Sequence, residues 1–242
     1  MNLEELRQLI SSFITDSEFS GKAWFAGGCV RDWLLETGKH KANNTLYDID
    51  ISVELPQGGI LLSEYLLPHM EGTDYSKYPA FGTARFKVGN QSFEFVATRK
   101  ETYKTGTRYP QVTFGTLSDD VLRRDFTMNG LLMNISSGEV LDLCGKGIAD
   151  LEAGIIRCIG KPKQKFNEDP LRMLRALRFS LRFGFAIDPE TYSAMQSEVA
   201  LLARLSAKSI QAELTKMLKH NTAEAIQSEF DKLGWNLSVQ NC

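Results

Sequence analysis

The chain has 242 residues, 43% hydrophobic and 24% charged, with a formal net charge of -2. That length holds one catalytic-sized domain and a smaller second one, and the balance of residues excludes a disordered chain. A near-neutral total neither favours nor excludes nucleic acid as a partner, because what counts is where basic residues cluster.

Residues 3–15 carry apolar side chains at Leu3, Leu6, Ile10 and Phe13, the spacing of a helix. AWFAGG reads as a short buried strand ending at paired glycines, and CVRDWLLE as a helix. GKHKANNT is polar and loop-like. DIDISVE alternates acidic and apolar residues and reads as a strand. A helix is expected over 58–70. Two strands follow, ARFKV and SFEFVAT, split by the turn signal Gly89-Asn90. Residues 100–116 are rich in Thr, Gly, Lys and Tyr and are expected to form a mobile loop. LLMNI and EVLDL flank Ser136-Ser137-Gly138 as a hairpin, 145–154 suggests a short helix, and IIRCI a last strand. KPKQKFN reads as a link, and from Phe166 the pattern is helical throughout. The expected division is an α+β domain over 1–160 and a helical domain over 161–242.

No apolar run approaches the ~20 residues of a bilayer-spanning helix, and the acidic start MNLEELRQLI is no secretory leader. A cytoplasmic protein with no membrane partner is the expectation. Cys29, Cys144, Cys158 and Cys242 are scattered without zinc-ligand spacing, as expected of buried free thiols.

Asp48 and Asp50 lie two residues apart on a strand, so both point to one face while Ile49 and Ile51 point to the other. Adjacent carboxylates repel unless a cation lies between them. Oxygen-only ligands favour magnesium, and such ions can activate a hydroxyl and stabilise a leaving phosphate oxygen. Glu94, flanked by Phe93 and Phe95, offers a third carboxylate if its strand neighbours the first. Gly27 and Gly28 end a strand just before a helix, where backbone can approach a phosphate closely, and Arg31 falls in the first helical turn. No Gly-Lys-Ser/Thr follows, so this is not a P-loop.

NEDPLRMLRALRFSLRFGF is the most informative stretch. Asp169 suits an N-cap and Pro170 the first helical position. Arg172, Arg175, Arg178 and Arg182 then fill an arc of about 120° at ~100° per residue, opposite Met173, Leu174, Leu177 and Leu181. Such a stripe needs anions, either phosphates or acids. Asp169 and Arg172, about one turn apart, offer an acceptor and a donor fork that can imitate a base-pairing edge and choose a nucleotide without a template.

In order, GGCVRD, DID, RRDFTMNG, DLCGKGIADLEAGIIR, EDPLRMLRALRFSLRFGF and LSAKSIQAELTKML resemble the class II tRNA nucleotidyltransferase and bacterial poly(A) polymerase family. The matches run from about residue 22 to about residue 219. The resemblance implies a nucleotidyltransferase head, with a small mixed sheet flanked by helices, followed by an all-helical neck. Family members continue into body and tail helices beyond the neck, where this sequence ends.

The resemblance also implies roles. Asp48, Asp50 and Glu94 are catalytic, with Asp48 and Asp50 binding magnesium. Gly27, Gly28 and Arg31 hold the triphosphate. Arg124 contacts the nucleotide, Asp125 reads the ribose and Asn129 shapes the site. Asp169 and Arg172 read the base, with Arg175 and Arg178 beside them. The implied reaction adds C or A from CTP or ATP to a tRNA 3′ end, releasing pyrophosphate. A poly(A) polymerase shares the same head motifs, and a nucleotide-binding remnant without RNA-extending activity is the reading from another class.

Overall fold

The computed structural model describes residues 1–38, 48–102 and 110–239. The first half contains α1 (Leu3–Ile14), β1 (Ala23–Ala26), α2 (Gly28–Thr37), β2 (Asp48–Val53), α3 (Gly58–His69), β3 (Thr73–Tyr78), β4 (Thr83–Val88), β5 (Gln91–Ala97) and β6 (Arg99–Thr102). Then come β7 (Gln111–Phe114), α4 (Leu117–Leu122), β8 (Leu132–Asn134), β9 (Val140–Leu141), α5 (Gly147–Ala153) and β10 (Ile155–Ile156). The last third is α6 (Pro162–Glu168), α7 (Leu171–Phe183), β11 (Ala186–Ile187), α8 (Pro189–Ser197), α9 (Ala207–Leu218) and α10 (Ala223–Leu233).

The main sheet has the order β3-β4-β5-β2-β1-β8-β9. Only β2 and β5 run parallel within it, so the sheet is mixed. Strand alternation sets its two faces. Ile49, Ile51 and Val53 of β2, with Phe93 and Phe95 of β5, point into a core that α1 closes with Leu6, Ile10 and Ile14 and α3 with Leu62 and Leu66. Asn2 and Glu5 cap α1 reciprocally, satisfying backbone donors at its start. On the opposite face, Trp24 and Ala26 of β1 pack with Leu117 and Val121 of α4 in a smaller cluster. Beyond that cluster the face is polar, and Asp48 and Asp50 stand there.

α3 enters at a very close approach. A Cβ on Gly59 would lie 2.5 Å from the Gly82 carbonyl oxygen and 2.6 Å from that of Phe95. Backbone cannot yield as a flexible side chain does. Gly59→Ala is therefore expected to lower stability by about 1–3 kcal/mol. A urea midpoint equal to that of the unaltered chain contradicts this close packing.

The mixed α/β expectation holds, with local differences. Residues 100–116 are not wholly loop. β6 and β7 pair antiparallel, from Arg99 opposite Phe114 to Thr102 opposite Gln111, and residues 103–109 lie outside the described residues. Thr98 ties the base of this ribbon by donating to the Gly115 carbonyl at 2.6 Å. KPKQKFN is not a link but most of α6, which starts with Pro162 in its first turn and buries Phe166. α7 begins at Leu171, with Pro170 in the cap position. Asp169 still serves the helix start, accepting from the Leu171 N–H at 3.2 Å. Within the helical region, β11 pairs parallel with β10.

Cys29 and Cys158 are buried and free, as expected, whereas Cys144 is only half-buried and Cys242 lies outside the described residues. Burial pushes the Cys29 and Cys158 thiols up to about 12, so neither is a nucleophile at neutral pH. Among the described residues no helix is long and apolar enough to cross a membrane.

Candidate active site

β2 presents Asp48, exposed, and Asp50, half-buried, on one face. Parallel pairing sets Asp50 directly beside Glu94 of β5. The sheet thus gathers the three carboxylates that lie 46 positions apart in sequence at most. Burial pushes the Asp50 carboxyl up to about 6; Arg124 opposes the rise, and Glu94 and Asp48 add to it. Burial and like charge acting on one acid at a cleft make it a candidate for function.

The glycine turn lies next to the acids. Gly27, between β1 and α2, has φ 68, and a Cβ there would sit 2.8 Å from the Arg124 guanidinium. Only glycine suits that backbone and that neighbour. Arg124 is held from behind: its Nη2 donates to Asp120 at 2.9 Å and to Ser52 Oγ at 3.2 Å. Asp120, fully buried on α4, also accepts from Arg123 Nε at 2.8 Å. Burial alone would raise its pKa, but Arg124 and Arg123 hold it below the ordinary value. The Arg124 Nε is buried without a hydrogen-bond partner, so the cluster has donor capacity to spare.

Arg31, Asn129 and Asp125 form a second buried chain. Arg31 Nη1 donates to Asn129 Oδ1 at 2.6 Å, and Asn129 Nδ2 donates to Asp125 Oδ1 at 2.9 Å. Asp125 further accepts from the Phe126 N–H at 2.8 Å and from Arg175 Nε at 2.7 Å. Burial opposes ionisation here, yet Arg175 and Asn129 outweigh it and hold the carboxyl down at about 2. Asp125 is therefore a charged joint between the sheet domain and α7.

The arginine stripe meets acids from other elements. Arg172 Nη1 donates to Glu168 at 2.9 Å and its Nη2 to the Arg123 carbonyl at 2.9 Å. Arg178 pairs with Glu213 of α9 at 2.6 Å, and Arg182 with Asp32 of α2 at 3.4 Å. Phe179 lies among them. The guanidinium carbons of Arg178, Arg31 and Arg175 stand 4.2, 5.1 and 5.5 Å from its ring centre. The face of one ring thus attracts cations that would otherwise repel one another.

These walls enclose a cleft of about 580 Å3, a size that fits a nucleotide. It brings together Gly27, Gly28, Arg31, Asp48, Asp50, Arg124, Asp125, Asn129, Asp169, Arg172, Arg175 and Arg178. Glu94 is not in its lining but faces an adjoining hollow that Asp50 and Arg124 share. Asp120, Arg123 and Phe179 were not anticipated from sequence. Phe179 had a signal, since at ~100° per residue it falls inside the arginine arc. The capping pattern Thr116-x-x-Asp119 signals α4, and with it Asp120.

Among the described residues, no three acid, histidine or cysteine side chains converge closely enough as placed to cage a metal ion. The donor chemistry nevertheless fits a divalent cation. All three donors are carboxylates, two on one strand face and the third in register beside them. A cation would stabilise the buried Asp50 carboxylate and relieve its repulsion by Glu94 and Asp48.

The pattern of the family described as "Poly A polymerase head domain" matches residues 23–157, and that of "Probable RNA and SrmB- binding site of polymerase A" matches 184–234. The chain is 38% identical over 215 residues to the mitochondrial CCA tRNA nucleotidyltransferase of Saccharomyces cerevisiae, covering 79% of this chain and 37% of that protein. It is 37% identical over 199 residues to the CCA-adding enzyme of Lactiplantibacillus plantarum, covering 81% and 45%. The structure of the Thermotoga maritima CCA-adding enzyme complexed with tRNA superposes with a TM-score of 0.77 at 26% identity, over 95% of this chain and 50% of that one. The chain thus spans half or less of the length of these relatives. With the head pattern matched over more than half its residues, the chain belongs to the poly(A) polymerase head-domain family of nucleotidyltransferases.

Proposed function

We propose that this chain is a template-independent RNA nucleotidyltransferase. It adds C, A or both to the 3′ end of tRNA from CTP and ATP and releases pyrophosphate. The observation that carries this is the shared cleft: the acids of β2 stand on one wall and the arginines of α7 on the other. We divide the chain at residue 160 into a catalytic head and a helical neck.

In this reading the Gly27–Gly28 turn and Arg31 receive the triphosphate, where backbone N–H groups and guanidinium meet phosphate oxygens, and Arg124 contacts the nucleotide beside them. Asp125 and Asn129 fix the ribose side. Asp169 and Arg172 read the base, Arg172 exchanging its Glu168 contact for the base edge. Asp48, Asp50 and Glu94 would hold magnesium, which supplies charge neutralisation at the α-phosphate and acidifies the attacking hydroxyl. The RNA O3′ forms a bond to the α-phosphorus as the bond to the bridging oxygen of pyrophosphate breaks.

Transcripts of tRNA ending before CCA, after the first C and after the second C test this, with CTP and ATP supplied separately and together. Extension that stops at CCA is the expected result. A long A tail makes the chain a poly(A) polymerase. No extension with nucleotide still bound leaves it a nucleotide-binding part of a longer enzyme.

A further inference from the structure

The acid corner has two sides. On one lies the cleft with the glycine turn and the arginines of α7. On the other, past Glu94, a hollow bounded by Asp50, Ser52, Glu94 and Arg99 adjoins a separate pocket of about 390 Å3 and shares Glu94 and Arg99 with it. That pocket is lined by Tyr78, Phe81, Thr83, Arg85, Glu94 and Arg99. Its aromatic and basic side chains take no part in the nucleotide cleft.

Tyr78 is 44% and Phe81 52% exposed, although this chain buries most of its large apolar side chains. The 3-10 turn Pro79–Phe81 holds both rings at the end of edge strand β3. Arg85, exposed on β4, has its guanidinium carbon 5.9 Å from the Tyr78 ring centre and donates from Nε to Ser76 at 2.9 Å. It stands directly opposite Glu94 in the β4–β5 register. Two open rings beside an arginine are the elements with which proteins hold single-stranded nucleic acid: bases stack on the rings and phosphate meets the cation.

The reaction itself says which strand belongs there. Displacement at the α-phosphorus runs with attacking and leaving oxygens roughly in line. If the pyrophosphate leaves toward the glycine turn and the arginines, the attacking 3′-hydroxyl arrives from the opposite side of the acids. That side is the Glu94 side.

We propose that this pocket seats the 3′-terminal nucleoside of the RNA being extended, its base against Tyr78 and Phe81 and a backbone phosphate at Arg85. This rests on the RNA-extending reading above. Because Glu94 borders both hollows, a nucleoside stacked here can direct its hydroxyl toward the carboxylates. Stacking favours no particular base, so the pocket accepts the end of the chain before and after each addition.

The test is steady-state extension of a tRNA transcript lacking CCA by the 242-residue chain, with KM measured separately for the RNA and for CTP. Tyr78→Ala/Phe81→Ala and Arg85→Ala are each expected to raise the KM for RNA on the order of tenfold. The KM for CTP should stay unchanged, and Tyr78→Phe, which keeps the ring, should remain near the unaltered chain. These side chains lie at the surface, and thermal melts check that each variant is folded. If the unaltered chain extends RNA and both sets keep its KM for RNA, this inference falls and the RNA-extending reading stands. A rise in the KM for CTP instead assigns the rings to the incoming nucleotide and also overturns it. If the unaltered chain extends no RNA, both fall together.

Discussion

Asp50→Asn is expected to abolish nucleotide transfer and, in metal-free buffer at neutral pH, to stabilise the protein. The two effects share one cause. Asp50 is placed where burial and the neighbouring Glu94 and Asp48 disfavour its charge, and Arg124 compensates only in part. Its pKa of about 6 in the folded chain lies above its ordinary value of 3.8. The folded state therefore binds a proton more tightly than the unfolded state. The stability this supplies is full below pH 3.8 and is lost as pH rises through about 6. Above that, the ionised carboxylate costs up to about 3 kcal/mol. Asparagine removes that cost, so at pH 7.5 in chelator the variant should melt higher, and the difference should vanish toward pH 4. Divalent cation should raise the melting temperature of the unaltered chain and not that of the variant. Transfer should fall roughly a thousandfold or more, because the charge stabilisation of the reacting phosphate is lost. An active Asp50→Asn variant, or one less stable at pH 7.5, contradicts the assignment.

The second large effect is on folding. Asp120→Ala is expected to cost about 3–5 kcal/mol, because it leaves Arg123 and Arg124 facing a buried gap with no carboxylate between them. The Ser52 hydroxyl, which donates to this carboxylate, loses its acceptor too. Leu122→Ala is the natural control, since Leu122 is 57% exposed and sits two residues away on the same helix. Urea unfolding compares the two. Similar midpoints would show that Asp120 is not what holds the arginines. Because Arg124 presses on Gly27, a folded Asp120→Ala chain should also bind triphosphate more weakly.

The parts of this architecture that a reader of sequence can see are those governed by local periodicity. DIDISV shows its two faces directly, because strand alternation needs no knowledge of neighbours. The arginine arc of α7 is visible for the same reason. What joined the acids to those arginines was not visible. Asp50 meets Glu94 through a parallel pairing across forty-four positions, which no local pattern specifies. β3 was missed because TDYSKY is exposed at four of its six positions and begins with an irregular register, including Asp74 at φ 54. Asp125 and Asn129 came into view only through the order of motifs shared with a family. Their chemistry depends on Arg175 and Arg31, each far away in sequence. Asp169 and Arg172 were legible as a pair one turn apart. The turn of Arg172 toward Glu168 and the Arg123 carbonyl was not, since it depends on how α6 and α4 pack beside α7.

The central claim is that one cleft, acids on one wall and arginines on the other, selects and transfers a nucleotide without a template. The most direct measurement is the initial rate of transfer from each of the four labelled triphosphates to a tRNA lacking CCA, with magnesium and with chelator. It is made on the unaltered chain and on Asp48→Ala/Asp50→Ala. Transfer is expected from CTP or ATP alone, none from GTP or UTP, and none in chelator or in the double variant. Equal use of all four triphosphates, or undiminished transfer by the double variant, would contradict it.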